Sequence, residues 1–256
     1  MTKRGQVTLF IILGIIITAL VALMLFSKQA NIYTPATQEN LQSKMESIEK
    51  NIEDCLEDAA SEPLYRIAQQ GGYLTVIQGS YRLWNDSMIS YLCWNQEQTR
   101  ACMNRMLTLA HMQDQLNVAI KQQVETCLDV QGEADLIKTF DIIAPKDYKV
   151  DTAIRQDKTE VSLDYPVTLR AKSGDTQVSK KQFTKTFNIP LGELYDVSQD
   201  IANAEATGFF DPLVYMLAKY SRYTIYTQKP YPDTIYQIKL REGSYVFQMA
   251  IQGEAA

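Results

Sequence analysis

The chain has 256 residues, with 25 Lys and Arg against 30 Asp and Glu, for a formal net charge of -5. That balance argues against a nucleic-acid partner, because neutralising phosphates takes a concentrated basic surface and no stretch of the sequence supplies one. Beyond its N-terminal run, the chain carries enough apolar residues for one sizeable core or two small ones.

Lys3 and Arg4 precede a run without an ionisable group from Gln6 to Ser27. As a helix the run covers about 30 Å, the thickness of a hydrocarbon core. A cleaved secretory signal has a shorter apolar region and a small-residue cleavage site, whereas this run continues through Met24, Leu25 and Phe26. The expectation is a single-pass anchor with residues 1–6 as a cytoplasmic tail, 7–27 as the transmembrane helix and 28–37 as a linker. The basic tail stays inside, and the long C-terminal segment, 38–256, translocates to the extracytoplasmic side. Gly14, Thr18 and Ala22 recur every four residues and share one face of that helix. Small residues permit close helix approach in lipid, so this face is the candidate for self-association.

After Pro35, Leu41, Met45, Ile48, Ile52 and Leu56 recur at intervals of three and four with charged residues between them, an amphipathic stalk helix that needs a partner. The Val118 to Leu128 helix of the same chain and an equivalent helix of a neighbour are both candidates. Pro63 is expected to open a second helix, which stops at Gly71 and Gly72. Tyr73 to Ile77 reads as a short strand, and residues 87–128 as helical again. Residues 38–144 are thus the helical half.

The cysteines are Cys55, Cys93, Cys102 and Cys127. An even number, all beyond the apolar run, fits a disulfide framework in an oxidising compartment, with free buried thiols as the alternative. Zinc ligands usually stand in closely spaced pairs, which this set lacks. Ile52-Glu53-Asp54-Cys55-Leu56-Glu57 and Val124-Glu125-Thr126-Cys127-Leu128-Asp129 are near-repeats, both of helical character. Two helices side by side would join Cys55 to Cys127 and leave Cys93 to pair with Cys102.

From Tyr148 the period changes to two. Val161, Leu163, Tyr165, Val167 and Leu169 alternate with more polar residues, and Pro166 marks either an edge strand or a bulge. Ser173-Gly174-Asp175 is a turn signal before a return strand through Phe183 and Phe187. Leu191 to Ala206 is helical in pattern, and strands follow at residues 223–227, 234–240 and 245–251, the last two joined at Glu242-Gly243. Residues 145–256 are the sheet-rich half. The fold class expected is α+β: an N-terminal transmembrane helix, a helical stalk and region, then an antiparallel sheet with a packed helix.

Lys3-Arg4-Gly5-Gln6-Val7-Thr8, directly before the apolar run, resembles the class III signal sequence of archaeal pilin-like proteins. That resemblance implies peptidase cleavage between Gly5 and Gln6. Phe10 departs from the glutamate that many type IV pilins carry at the fifth mature position. Ile52 to Leu56, Gln70-Gly71-Gly72-Tyr73, Tyr165-Pro166 and Leu191-Gly192 resemble a group of uncharacterised membrane-anchored proteins of small-genome archaea, which implies location more than activity.

His111 is the one histidine, and no Gly-rich phosphate loop, His-Glu-x-x-His or Gly-x-Ser-x-Gly motif is present. No catalytic, cofactor-binding or metal-ligating residue is therefore assigned. Tyr215, Tyr220, Tyr223, Tyr226, Tyr231, Tyr236 and Tyr245 crowd the end of the chain, either as strand residues or as a patch for a partner chain or glycan. Three readings follow. The first is a non-catalytic, membrane-anchored cell-surface protein for adhesion, surface assembly or envelope structure; the others are a pilin-like subunit cleaved after Gly5 and an ectoenzyme with an unfamiliar site. The lipid bilayer and an unidentified surface partner are the expected associates, without a cofactor.

Overall fold

A computed structural model of the protein describes residues 16–21, 38–95, 102–130, 139–172, 175–219, 223–241 and 245–253. The apolar stripe that begins at Leu41 winds into a single helix, α1 (Gln38–Gln69), of 32 residues. Pro63, expected to open a second helix, lies inside this one. Proline lacks the N–H that would bond one turn back, and costs about 3 kcal/mol in a helix interior. Beyond it, Leu64, Ile67 and Ala68 continue the buried face of Ile48, Ile52 and Leu56. Burial of a large aliphatic side chain contributes about 1.5–3 kcal/mol, so Leu64 and Ile67 together offset the proline. The helix stops where Gly71 and Gly72 take φ values of 71° and 89°. The Gly72 N–H donates to the Ile67 carbonyl at 2.7 Å, closing a Schellman turn that needs glycine at the left-handed position.

The elements that follow are β1 (Tyr81–Trp84), β2 (Ser87–Trp94), β3 (Met103–Asn104), α2 (Leu109–Cys127), β4 (Phe140–Ile143), β5 (Lys149–Ile154), β6 (Thr159–Ala171) and β7 (Gln177–Phe187). After them come α3 (Leu191–Thr207), α4 (Pro212–Ala218), β8 (Tyr223–Gln228), β9 (Thr234–Leu240) and β10 (Val246–Ile251). Residues 87–94, expected to be helical, form β2. Asn85 and Asp86 adopt φ of 46° and 61°, a two-residue turn that folds β2 back on β1 with Trp84 opposite Ser87. Residues 73–77, expected as a strand, form a connector instead. It is held across the start of α2 by the Tyr73 hydroxyl, which donates to the Arg105 carbonyl at 2.7 Å, and by the Leu74 N–H, which donates to Gln115 Oε1 at 3.0 Å.

Two sheets result. The larger runs β1-β2-β10-β9-β8, with β3 also on β2. Its β2–β10 pair is parallel, with Ala250 opposite Tyr91. The β9–β10 pair is antiparallel and places Ile238 opposite Phe247 and Tyr236 opposite Met249. The smaller sheet runs β4-β6-β5, with β7 on the other side of β6. Here β6 is central rather than at an edge, and the register slips between Asp164 and Val167. Pro166 therefore stands in a bulge, where a missing amide proton breaks no ladder bond. The boundary expected between a helical and a sheet-rich half falls inside this sheet, because β4 and β5 both pair with β6. Residues 38–144 also carry β1, β2 and β3.

The helix α1 is the spine between the sheets. Its earlier turns lie on β6 and β7, where Lys180 pairs with Glu49 and Lys185 with Glu57. Its last turns lie on β10, where the Tyr245 hydroxyl donates to the Leu64 carbonyl at 2.6 Å. Of the two partners expected for the stalk, α2 of the same chain packs beside α1 and also against β5. One apolar cluster reaches from Leu41 to Ile251.

The expected anchor falls largely outside the described residues, as do residues 1–6, the linker 28–37, Gly5, Gln6, Gly14, Ala22, Ser173-Gly174 and Glu242-Gly243. Residues 16–21, which include Thr18, are helical. Among the described residues no helix is long and apolar enough to cross a membrane.

Candidate functional site

The cysteines come together in two pairs at disulfide distance. Cys55 of α1 meets Cys127, the last residue of α2, with Cα atoms 5.7 Å apart; Cys93 of β2 meets Cys102 with Cα atoms 5.2 Å apart. Cys93 is fully buried and Cys127 is exposed. These bonds brace the framework and leave no free thiol.

Polar chemistry concentrates at Asp233, which is buried in the turn between β8 and β9. Its Oδ2 accepts from the Tyr91 hydroxyl at 2.7 Å and lies 3.2 Å from the Arg82 guanidinium, while Oδ1 accepts from the Gly253 N–H at 3.1 Å. Burial, reinforced by the Asp233 carboxylate, pushes the Tyr91 hydroxyl well above its ordinary pKa. Both Asp233 oxygens are committed to tying β1, β2 and the chain end together, so this cluster is a latch. His111 sits on the exposed first turn of α2, its N–H donating to the capping Thr108 Oγ1 at 3.3 Å. It borders an open cleft of about 410 Å³ together with Arg66, Asp114 and Gln115. Among the described residues no group of His, Cys, Asp and Glu is arranged to hold a metal ion.

The most unusual surface belongs to α4. Asp211 caps it: its Oδ1 accepts from the N–H groups of Leu213 at 2.9 Å and Val214 at 3.2 Å, and Pro212 supplies the first turn. Phe210 anchors the near side, with ring centroids 5.5 Å from Tyr236 and 5.2 Å from Tyr215. The Tyr236 hydroxyl donates to Glu205 of α3. Burial, then Glu205, raises its pKa strongly. Tyr215 donates to Asp200 Oδ2 at 2.6 Å, and Lys219 bonds the same oxygen at 3.1 Å. The Ile225 N–H of β8 points to the Met216 sulfur at 3.2 Å. The helix is therefore pinned from beneath by aromatic and polar contacts.

Its outer face is apolar. Phe209 is 76% exposed, Leu213 63%, Val214 61% and Leu217 81%. Leu213 and Leu217 stand one turn apart with Val214 beside them, so they form an apolar ridge on the helix, and Phe209 is exposed in the segment that leads into it. A helix apolar on both sides is ordinarily buried, and contiguous exposed apolar ridges mark contact sites.

The tyrosines divide. Tyr223 and Tyr236 enter the core, and Tyr245 and Tyr215, the latter on the inner side of α4, pack against it. Tyr226 and Tyr231 are exposed, and Tyr220 is outside the described residues. The surface that the sequence did not single out is thus mainly aliphatic, with Phe209 at its start, and lies among the tyrosines. A signal was present: after Phe209 and Phe210, no Lys, Arg, Asp or Glu stands between Asp211 and Lys219.

Compared with family models, with curated proteins and with solved structures, the chain matches none.

Proposed function

We propose that the protein is a single-pass, membrane-anchored cell-surface protein whose folded part, on the extracytoplasmic side, has a non-catalytic role in surface assembly, adhesion or envelope structure. The observation that carries this reading is the ridge of α4, an apolar face held rigidly outward by Asp211, Phe210 and Tyr215. Paired cysteines support an oxidising compartment. The run from Gln6 to Ser27 supports an anchor. Protease treatment of intact cells tests the placement. The folded part should be released while an N-terminal fragment stays in the membrane fraction; complete protection until the cells are broken would overturn it.

Lys3-Arg4-Gly5-Gln6, directly before the apolar run, favours a narrower second reading, a pilin-like subunit cleaved after Gly5. Mass spectrometry of the mature N-terminus separates the two. A chain beginning at Gln6 supports the subunit, and an intact basic tail supports a permanent anchor.

A further inference from the structure

We propose that Asn85 is an N-glycosylation site, the acceptor of an oligosaccharide delivered on a lipid phosphate carrier at the extracytoplasmic face of the membrane. The inference rests on the membrane-anchored reading above and adds a covalent modification to it.

Sequence and fold converge on one side chain. Of the asparagines in the chain, Asn85 alone stands two residues before a Ser or Thr, in the tripeptide Asn85-Asp86-Ser87. Asn-x-Ser or Asn-x-Thr without a central proline is the acceptor signal for N-linked glycans. Here it spans the turn from β1 to β2, where both Asn85 and Asp86 are exposed. A bulky, hydrophilic glycan belongs on such a surface, since it can be carried only where nothing packs. The turn by itself explains two of the three residues. Its φ values of 46° and 61° select Asn, Asp or Gly. They place no demand on position 87, which lies in β2 opposite Trp84. The Ser87 hydroxyl is what the acceptor signal adds to the turn.

The reaction is a glycosyl transfer. Asn85 Nδ2 bonds to the anomeric carbon of the first sugar, and the bond from that carbon to the phosphate oxygen of the carrier breaks. The lipid phosphate leaves with the bonding electron pair, and Nδ2 gives up one of its two protons to solvent. No oxidant or reductant is consumed. The donor is an oligosaccharide linked to a lipid phosphate, and the catalyst is a membrane transferase on the side to which the folded part is translocated. The attached sugars stand beside exposed apolar side chains. Leu83 and Met88 face each other one residue pair below Trp84 and Ser87, and they are 63% and 40% exposed. Because β1 is the end strand of the larger sheet, a hydrophilic chain at its tip guards an open edge against pairing with another sheet.

The full chain is purified from the membranes of its own cells, and the tryptic peptide of residues 83–100, bounded by Arg82 and Arg100, is read by tandem mass spectrometry. The native chain should yield this peptide with an oligosaccharide mass on Asn85. Ser87→Ala should yield it unmodified, as should Asn85→Gly, which suits the positive φ and so preserves the turn. Ser87→Thr should keep the glycan. A native peptide without sugar overturns the proposal, and so does a glycan that survives Asn85→Gly, because it sits on another side chain. Protease treatment of intact cells is read on the same cultures. A chain that is cut from outside yet carries no sugar defeats the glycosylation alone, whereas a chain that is protected and bare defeats the extracytoplasmic placement with it.

Discussion

Cys55 stands within α1 and Cys127 ends α2, and their Cα atoms are 5.7 Å apart. One covalent bond therefore fixes the two helices side by side across 72 residues of sequence. Closing a loop of that length removes enough unfolded-state entropy to stabilise by about 4 kcal/mol, and the nine-residue separation of Cys93 and Cys102 by somewhat under 3 kcal/mol. Replacing Cys55 and Cys127 together by Ala should lower unfolding stability by about 4 kcal/mol in urea titrations. The exposed Cys127 also makes this bond the first to open. Timed reduction with thiol labelling and peptide mass spectrometry should find Cys55 and Cys127 labelled before the buried Cys93. The reverse order would contradict the arrangement.

The parallel pairing of β2 with β10 joins the early and late parts of the chain in one sheet over one apolar cluster, so they are expected to unfold together. Cleavage by a protease between Ala144 and Lys149 should leave two fragments that remain associated and unfold in one transition. Two fragments that separate and each melt cooperatively would show two domains instead.

Tyr91, Tyr236 and Tyr245 all hold their protons more tightly in the folded state, chiefly through burial. Unfolded tyrosine ionises near a pKa of about 10, so above that pH the unfolded chain binds fewer protons than the folded one. Linkage then makes stability fall as pH rises. The tyrosine contribution should be intact below about pH 10 and decline from there towards the raised folded pKa values. Urea midpoints measured between about pH 8 and 11 should drop at the alkaline end, and Tyr236→Phe should flatten that drop. A midpoint independent of pH in that range would refute the account.

Gly192, in the first turn of α3, approaches the turn between β5 and β6 so closely that its N–H bonds the Arg155 carbonyl at 3.1 Å. A Cβ at that position would stand 2.6 Å from the same oxygen and 2.8 Å from its carbon, both backbone atoms. Gly192→Ala should destabilise by about 1–3 kcal/mol, the range for overpacking. Gly79→Ala meets nothing within 4 Å but sits at φ of +78°, so a loss there would come from backbone strain alone. Thermal melts of the two variants separate the effects, since only Gly192→Ala should also loosen α3 in hydrogen exchange.

Local pattern settled the parts of this protein whose meaning lies within one element. The three-and-four spacing from Leu41 to Leu56 marks the buried face of α1, the alternation from Val161 to Leu169 marks that of β6, and the near-repeat around Cys55 and Cys127 sets two helices together. What covers each face was beyond such pattern. Ser87 to Trp94 is short and apolar, and period alone does not separate helix from strand in such a run; the Asn85-Asp86 turn and the distant β10 made it β2. Pro63 looks like a helix start until Leu64 and Ile67 are seen packed beyond it. The same holds for α4, whose residues are as apolar as those of the core. Its place against β8, the last strand of the larger sheet, leaves Phe209, Leu213 and Leu217 uncovered. A sequence records which side chains avoid water, whereas only the packed chain decides which of them it has room to bury.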